Sequence, residues 1–230
     1  MKKKEEKNYA RRYAHEYHFL RAFFQFFAIS ISYPYFKIYY NFKPEGRQNI
    51  PKSGRYIFAP NHISMFDPLF VSCTILRPMV YMAKRELFEK GHNLEWWVKR
   101  LGAFSVNREK PELATFKTIK DVFKTGWPLV IFPEGGIKDF KRIENVYKGF
   151  ATIAKNFEAD IIPVSIGGFE GYKKKPFAQT VRVKVCPPIS HKQSEEEIIK
   201  QWAKQICDET GFENLVVTGN EAEKIPEAVS

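Results

Sequence analysis

The sequence contains few cysteines and no long apolar run, and each absence narrows what the chain can be. Its three cysteines, Cys73, Cys186 and Cys207, are far apart and odd in number. This pattern argues against a disulfide framework or a zinc site, so we predict no metal. The uncharged N-terminal stretch 22–36 covers only 15 residues and contains Pro34, whereas a membrane-spanning helix needs about 20. We therefore predict no transmembrane helix.

Acidic residues are outnumbered in this chain, with 26 Asp and Glu against 37 Lys and Arg and a formal net charge of +11. Such an excess indicates an anionic partner: a nucleic acid, a membrane surface or a charged substrate. No segment resembles a nucleic-acid-binding module, and the basic residues are spread along the chain, so we expect no nucleic acid. A non-catalytic basic protein that binds a membrane or a nucleic acid is the alternative of another class.

Aromatic residues concentrate near the N-terminus, where 12 of the 36 fall between positions 17 and 42. The segment before them contains Lys2, Lys3, Lys4, Lys7, Arg11 and Arg12. An aromatic helix behind a basic head suits the headgroup layer of an anionic leaflet. We therefore predict that residues 1–45 form a membrane-docking helical element, peripheral or monotopic, at the cytoplasmic face of the cell membrane. A buried pair of core helices and a secretory signal are the alternatives, although no cleavage pattern follows the apolar run.

Residues 46–215 alternate between short apolar runs and helical patterns. The runs that predict strands are 55–59, 79–83, 103–106, 129–132, 160–166 and 181–185, and the helical patterns are 111–125, 147–157 and 194–206. Strands that alternate with helices predict an α/β domain with a mostly parallel mixed sheet flanked by helices. Pro163 inside a run indicates a bulge or an edge position. Residues 216–230 are expected to form a flexible tail.

The stretch NHISMFDP, residues 61–68, carries the most specific chemical signal. It follows the first predicted strand, so His62 is expected at the carboxyl edge of the sheet, where α/β proteins place ligands. Asp67 precedes a proline and is predicted as the N-cap of a helix. A loop that enters a helix there lets the carboxylate approach the imidazole, orient it and support proton abstraction. The simpler alternative is that Asp67 only caps the helix and His62 is a surface residue.

Three further segments offer groups for a site. LGAFSVNR, residues 101–108, combines a turn-forming Gly102 with Arg108, whose guanidinium could grip a phosphate. LVIFPEGG, residues 129–136, delivers a carboxylate and glycines to the end of an apolar strand. Lys148 opens a helix, where it could face an anion. The simpler alternatives are that Arg108 is a solvated arginine at a strand end and that the FPEGG segment is a plain turn after a strand.

The order of these segments resembles the glycerolipid acyltransferase family, typified by 1-acylglycerol-3-phosphate acyltransferases. That family carries NHxxxxD, GxxFxxR and FPEG blocks and a later apolar-proline block. Here they stand in the same order at residues 61–67, 102–108, 132–135 and 162–164, and the AKREL segment from Lys84 also looks like the family's. The resemblance covers roughly residues 55–168.

The resemblance implies transfer of a fatty acyl group from acyl-CoA or acyl-carrier protein to a glycerolipid hydroxyl, with no bound cofactor and no acyl-enzyme. His62 is then the general base and Asp67 its orienting partner, while Arg108 and the FPEG block bind the acceptor. The expected substrate-binding residues are Asn61, Gly102, Arg108, Pro133, Glu134, Gly135, Lys138 and Lys148.

One departure from the family pattern affects the acceptor. The family usually continues FPEG with Thr-Arg-Ser, and that arginine helps to bind the acceptor phosphate, whereas this chain continues with Gly136-Ile137-Lys138. Lys138 could supply a charge, but it lacks the planar fork of arginine. Lysophosphatidate is therefore the expected membrane-lipid acceptor, with another lysolipid as the alternative. A hydrolase, in which water replaces the acceptor, is a further alternative.

Overall fold

A mixed sheet between two helical layers organises the protein, whose computed structural model describes residues 10–88, 92–106, 113–138, 141–170 and 176–216. The helices are α1 (Phe19–Tyr39), α2 (Asp67–Ile75), α3 (His92–Arg100), α4 (Leu113–Lys124), α5 (Gly149–Asn156) and α6 (Glu195–Thr210). The strands are β1 (Lys43–Glu45), β2 (Tyr56–Pro60), β3 (Val80–Lys84), β4 (Phe104–Val106), β5 (Leu129–Val130), β6 (Arg142–Ile143), β7 (Asp160–Gly167), β8 (Arg182–Val185) and β9 (Glu213–Asn214).

The main sheet has seven strands in the order β1-β8-β7-β2-β5-β3-β4. All neighbouring pairs are parallel except β7 and β8, which are antiparallel. Strands β6 and β9 form a separate parallel pair. The predicted α/β fold with a mostly parallel mixed sheet is therefore confirmed, and β2, β5 and β7 lie side by side at its centre.

The alternation of side chains along the strands divides the core into two parts. In β2, Ile57 and Ala59 face a core shared with α4, α5 and α6, whereas Tyr56 and Phe58 face the core shared with α1 and α2. Successive strand residues point to opposite faces, so a fully apolar strand can fill both layers. The indole of Trp202 on α6 donates to the carbonyl of Ala59 over 2.7 Å, which ties one helical layer to the carboxyl end of β2.

Pro163 lies inside β7, an interior strand, and the predicted irregularity falls on its neighbour. Val164 pairs with Val185, whereas Ile161 pairs with Ile189, so the partner segment contains one extra residue between the two pairs. The amide of Cys186 donates to the carbonyl of Pro163 within this stretch. A bulge opposite the proline accommodates the missing N–H, so the bulge interpretation holds rather than the edge one.

The N-terminal aromatic segment folds as α1, and its C-terminal half is part of the core. Ile29 and Phe36 are buried on one side of the helix, and β1, which follows it, is the edge strand of the sheet. In the described part of the chain, no helix has the length and apolar character needed to cross a bilayer. The basic residues before Tyr9 and the predicted tail from position 217 onward lie outside the described residues.

Candidate active site

The candidate site lies where neighbouring parallel strands end. His62 follows β2, the FPEG segment follows β5, and β7 ends beside them at Gly167. Because parallel strands bring their carboxyl ends to one edge, the loops that follow them meet there. The topology therefore places the first and third sequence motifs next to each other.

His62 and Asp67 form a close pair, as the sequence spacing predicted. The Nδ1 atom of His62 lies 2.8 Å from Oδ2 of Asp67. The same oxygen accepts hydrogen bonds from the amides of Ile63 and Ser64, at 2.7 and 2.8 Å. These bonds fold the loop back over the carboxylate and hold the imidazole against it.

Asp67 is the first residue of α2 rather than its N-cap, which is Phe66. Its carboxylate makes no capping bond to the first turn of α2, because Oδ2 faces back toward the loop. The prediction of an N-cap was therefore wrong by one position. The preference of the residue before proline for a non-helical conformation is only statistical, and the loop amides outweigh it here.

Burial makes this pair asymmetric. Asp67 is 0% exposed, whereas the side chain of His62 is 17% exposed. Burial raises the pKa of Asp67, and the hydrogen bonds from His62, Ser64 and Ile63 oppose that rise. Because Nδ1 faces Asp67, Nε2 is the ring nitrogen left to accept a proton from a bound group.

The FPEG loop holds His62 from several sides. Oε1 of Glu134 accepts from the amide of His62 over 2.8 Å, and the amide of Lys138 donates to the carbonyl of His62 over 2.9 Å. The ring of Phe132 lies on the imidazole with a centroid distance of 4.3 Å. The loop therefore fixes both the backbone and the ring of the base.

Pro133, Glu134 and Gly135 were predicted to contact substrate, but all three are buried. The carbonyl of Pro133 accepts from the amide of Tyr147, and Gly135 has a positive φ of 70° that turns the loop back toward His62. In this position the three residues shape the loop that supports His62, and their contact with substrate stays a prediction. The sequence could not show this support of His62, because it joins segments about 70 residues apart.

Glu134 is a second buried carboxyl beside the pair. Its pKa is raised to about 7, mainly by burial and also by the Asp67 carboxylate, while the hydrogen bond from the His62 amide and the charge of Lys138 oppose the rise. Two carboxyls close together in a dry environment resist holding two negative charges. The neighbourhood of His62 therefore contains one group that titrates near neutral pH because of its burial.

Asn61 links two neighbouring strands at the edge of the site. It is fully buried, and its Nδ2 donates to the carbonyl of Ile166 while its Oδ1 accepts from the amide of the same residue, at 3.0 and 2.7 Å. The side chain therefore continues the pairing of β2 with β7 past the end of β2. Both polar atoms of this buried amide are thus bonded to the backbone, and contact of Asn61 with substrate stays a prediction.

Gly102 lies at the opposite end of the sheet from His62, since it precedes β4 while His62 follows β2. Its φ is 84°, and an added Cβ would lie 3.1 Å from Nε2 of Gln25 on α1. That amide donates to the carbonyls of Met79 and Leu101, so Gly102 makes room for the attachment of α1. The structure therefore places Gly102 at the attachment of α1, away from His62, and its contact with substrate stays a prediction. Arg108, the other predicted residue of this block, lies outside the described residues.

Three lysines border the site. Lys84 ends β3, and a Cβ built on Gly136 would lie 3.1 Å from its ammonium nitrogen, so the missing side chain at Gly136 leaves space for this cation. Lys138 is close enough to lower the pKa of Glu134. Lys148 precedes α5, next to the Tyr147 amide that bonds Pro133. Lys84 was not predicted as a site residue, although its place in the AKREL segment was a usable signal.

No adjacent nucleophile accompanies the base in the ranges that the structure describes. Ser64 is buried, and its hydroxyl oxygen accepts from the amide of Phe66. Cys73, Cys186 and Cys207 are buried, free thiols, and burial raises the pKa of each. The fold and site together define an α/β protein whose oriented imidazole can take a proton from a hydroxyl brought by a substrate.

Comparison with known proteins identifies the family. The sequence profile of the Acyltransferase family matches residues 41–167, which is more than half of the chain. The protein therefore belongs to this acyltransferase family, as the order of its motifs predicted.

The chain is similar to 1-acyl-sn-glycerol-3-phosphate acyltransferases of Streptococcus pneumoniae and Bacillus subtilis. The first is 32% identical over 49% of this chain and 42% of its own length, and the second is 30% identical over 55% of this chain and 62% of its own. The chain thus spans between about two fifths and three fifths of these relatives. The crystal structure of the 1-acyl-sn-glycerophosphate acyltransferase PlsC from Thermotoga maritima matches with a TM-score of 0.58 at 22% identity, over 80% of this chain and 76% of that one. This likeness supports the fold.

Proposed function

We propose that this protein transfers a fatty acyl group from acyl-CoA or acyl-carrier protein to the free hydroxyl of 1-acylglycerol-3-phosphate, giving phosphatidate. The observation that carries the proposal is the buried Asp67 carboxylate on Nδ1 of His62, with no adjacent nucleophile among the described residues. This arrangement suits direct attack by the acceptor hydroxyl rather than an acyl-enzyme. The names of the similar bacterial proteins support the choice of acceptor.

In the proposed reaction, Nε2 of His62 removes the proton of the acceptor hydroxyl as its oxygen attacks the thioester carbonyl. The bond from carbon to sulfur then breaks, the thiolate leaves with its electron pair, and the imidazolium returns the proton to it. Asp67 stabilises the transient positive charge on the ring, and Glu134 with Lys138 keeps the ring in place through the backbone of His62. The products are the new ester and a free thiol.

The acceptor phosphate requires cations, and the described edge of the site offers Lys84, Lys138 and Lys148. We assign to Lys84 the charge that the missing arginine would supply. Its ammonium lies beside Gly136, the first position of the segment where the family usually has Thr-Arg-Ser. A lysine is a point charge that accepts varied phosphate geometries, whereas an arginine fork selects one. This difference keeps a second acceptor, another lysolipid, as the alternative.

The lipid substrates imply a membrane location, and α1 supplies a surface for it. Its exposed residues include Phe19, Leu20, Phe23, Phe26, Phe27, Ile31 and Ile38. The buried side of α1 packs on the catalytic loop, since the ring of Phe66 lies 6.1 Å from Phe36 and 6.3 Å from Tyr40. We therefore propose that α1 rests in an anionic leaflet, on the cytoplasmic side, and brings the His62 loop close to its lipid substrates.

The decisive experiment combines purified protein with 1-acylglycerol-3-phosphate and an acyl-CoA, with release of free thiol and formation of phosphatidate followed together. Parallel reactions contain lysophosphatidylcholine, lysophosphatidylglycerol or lysophosphatidylethanolamine as acceptor, and acyl-carrier protein as donor. We expect phosphatidate to form fastest. A faster reaction with another lysolipid would show that this lysolipid, rather than lysophosphatidate, is the acceptor. Thiol release that needs no acceptor would identify a hydrolase instead.

A further inference from the structure

Helix α3 exposes two adjacent tryptophans, Trp96 at 44% and Trp97 at 51%. Tryptophan carries a large apolar ring and is usually well covered in a water-soluble domain. The two rings are perpendicular and contact each other edge to face, with centroids 5.0 Å apart. Both side chains thus offer apolar surface to something outside the described chain.

These tryptophans adjoin the exposed side of α1. At 100° per residue, the exposed apolar positions of α1 fall within an arc of about 140°. Phe24 lies at the border of this arc, and its ring meets Trp96 edge to face at 6.4 Å. The exposed side of α1 and the tryptophans of α3 therefore form one continuous apolar surface, although they are about 70 residues apart in sequence.

A cation borders this surface where the two helices touch. The guanidinium of Arg100 lies 5.0 Å from the ring centre of Phe24 and 5.2 Å from that of Trp96. The sequence of α1 contains no carboxylate, and the sequence of α3 contains one, that of Glu95, against the cations Lys99 and Arg100. The two helices therefore hold four Arg and Lys residues against one Glu. An apolar aromatic surface with this excess of cations complements an anionic leaflet, in which tryptophan occupies the headgroup level.

We propose that α1 and α3 form a single bilayer-facing surface, in which Trp96 and Trp97 insert at the headgroup level of an anionic leaflet. This inference rests on the proposed membrane function but extends it, since the sequence assigned membrane contact to residues 1–45 alone. A second copy of the chain is a poorer occupant, because α1 and α3 contain more cations than acidic groups and two such surfaces would repel each other. The bilayer supplies both the apolar layer and the anionic groups.

The test uses vesicles of phosphatidylcholine with and without 30% phosphatidylglycerol, prepared also with brominated phosphatidylcholine as a quencher. The variant is the double substitution Trp96→Ala and Trp97→Ala. The control is Leu215→Ala, an exposed residue directly after β9. We expect the wild-type tryptophan emission to be quenched by brominated lipid. The double variant should bind anionic vesicles about tenfold more weakly or worse, because two half-exposed rings no longer enter the lipid, while Leu215→Ala binds normally.

The inference would be overturned if the double variant bound vesicles as well as the wild type and brominated lipid did not quench the wild-type emission. It would also be overturned if light scattering showed a wild-type dimer that the double substitution dissociates. Catalysis is measured independently of vesicle binding with a short-chain acceptor dispersed in detergent. In this assay the double variant should retain wild-type activity. His62→Ala should in turn bind vesicles normally. Vesicle binding thus tests the surface and the detergent assay tests the reaction, so either proposal can fail without the other.

Discussion

Two His–Asp pairs with the same contact distance lie at opposite ends of the sheet. His62 Nδ1 is 2.8 Å from Asp67 at the carboxyl end of β2, and His191 Nδ1 is 2.8 Å from Asp160 at the amino end of β7. In both pairs the carboxylate also accepts a backbone amide: those of Ile63 and Ser64 at Asp67, and that of His191 itself at Asp160. Contact distance alone therefore does not distinguish a candidate catalytic pair from an ordinary one.

Burial and support do distinguish them. The Asp160 side chain is 40% exposed, so water screens its charge, whereas Asp67 is fully buried and acts through a less polar medium. His62 is held by Glu134, Lys138 and Phe132, while the described side-chain hydrogen bonds of His191 are with Asp160. A reactive imidazole needs a fixed orientation and a protected partner, and only the pair at the carboxyl edge has both.

The largest expected effect separates the two histidines. His62→Ala should lower phosphatidate formation by at least about 10³-fold, because the general base is lost. His191→Ala, the matched control, should remain within about twofold of wild type. Thiol release with acyl-CoA and lysophosphatidate measures both. Comparable losses in the two variants would show that our distinction between the pairs is wrong.

The partner carboxylates give the next largest contrast. Asp67→Asn should reduce kcat by roughly 10² to 10⁴-fold, since an amide neither fixes the same tautomer nor stabilises the imidazolium. Asp160→Asn should leave kcat almost unchanged. Circular dichroism spectra and melting temperatures of both variants control for unfolding. If Asp67→Asn keeps full activity, orientation by Asp67 has no part in the reaction.

The buried carboxyl beside His62 predicts a pH dependence of stability that the exposed pair lacks. Burial raises the pKa of Glu134 from 4.5 to about 7, so the folded state keeps a proton that the unfolded chain has released. The free energy of unfolding should therefore fall with rising pH between these values, by up to about 3 kcal/mol from this group.

Glu134→Gln removes the titration but keeps an oxygen that can accept the His62 amide. Chemical denaturation between pH 4.5 and 8 should show a flatter profile for this variant than for wild type. Glu134→Ala should flatten the profile as well but also weaken the protein throughout, because the amide of His62 loses its acceptor. Parallel profiles for wild type and Glu134→Gln would contradict the assignment.

The smallest expected effect concerns two lysines, one near each pair. Lys84→Ala should raise the KM for lysophosphatidate about tenfold with little change in KM for acyl-CoA, as expected for one lost charge-assisted bond. Lys155→Ala is the control, because its ammonium donates to the carbonyl of Gln193 near His191. Initial rates at varied acceptor concentration give the answer. A selective change in the donor KM would place Lys84 at the donor instead.

Local patterns predicted much of the architecture. The runs at 55–59, 79–83 and 160–166 became β2, β3 and β7 with shifts of one residue at the ends, because continuous apolar strands have strong local signals. The pattern did not predict α3, β1, β6 or β9. Short strands carry too few residues for a periodic signal. In α3 the apolar tryptophans are exposed, so the usual rule that apolar residues mark the buried face does not apply.

The sequence by itself determined the family, the mostly parallel α/β class and the identity of His62 and Asp67 as a candidate pair, since the spacing of the motif and the proline after it are local features. Only the tertiary structure decided what surrounds them. Glu134 supports the His62 loop, and Asn61 links β2 to β7. Gly102 leaves room for Gln25 of α1, and Lys84 lies beside Gly136. Each of these contacts joins segments tens of residues apart, and the distance between such segments depends on strand order and packing, which local periodicity does not contain.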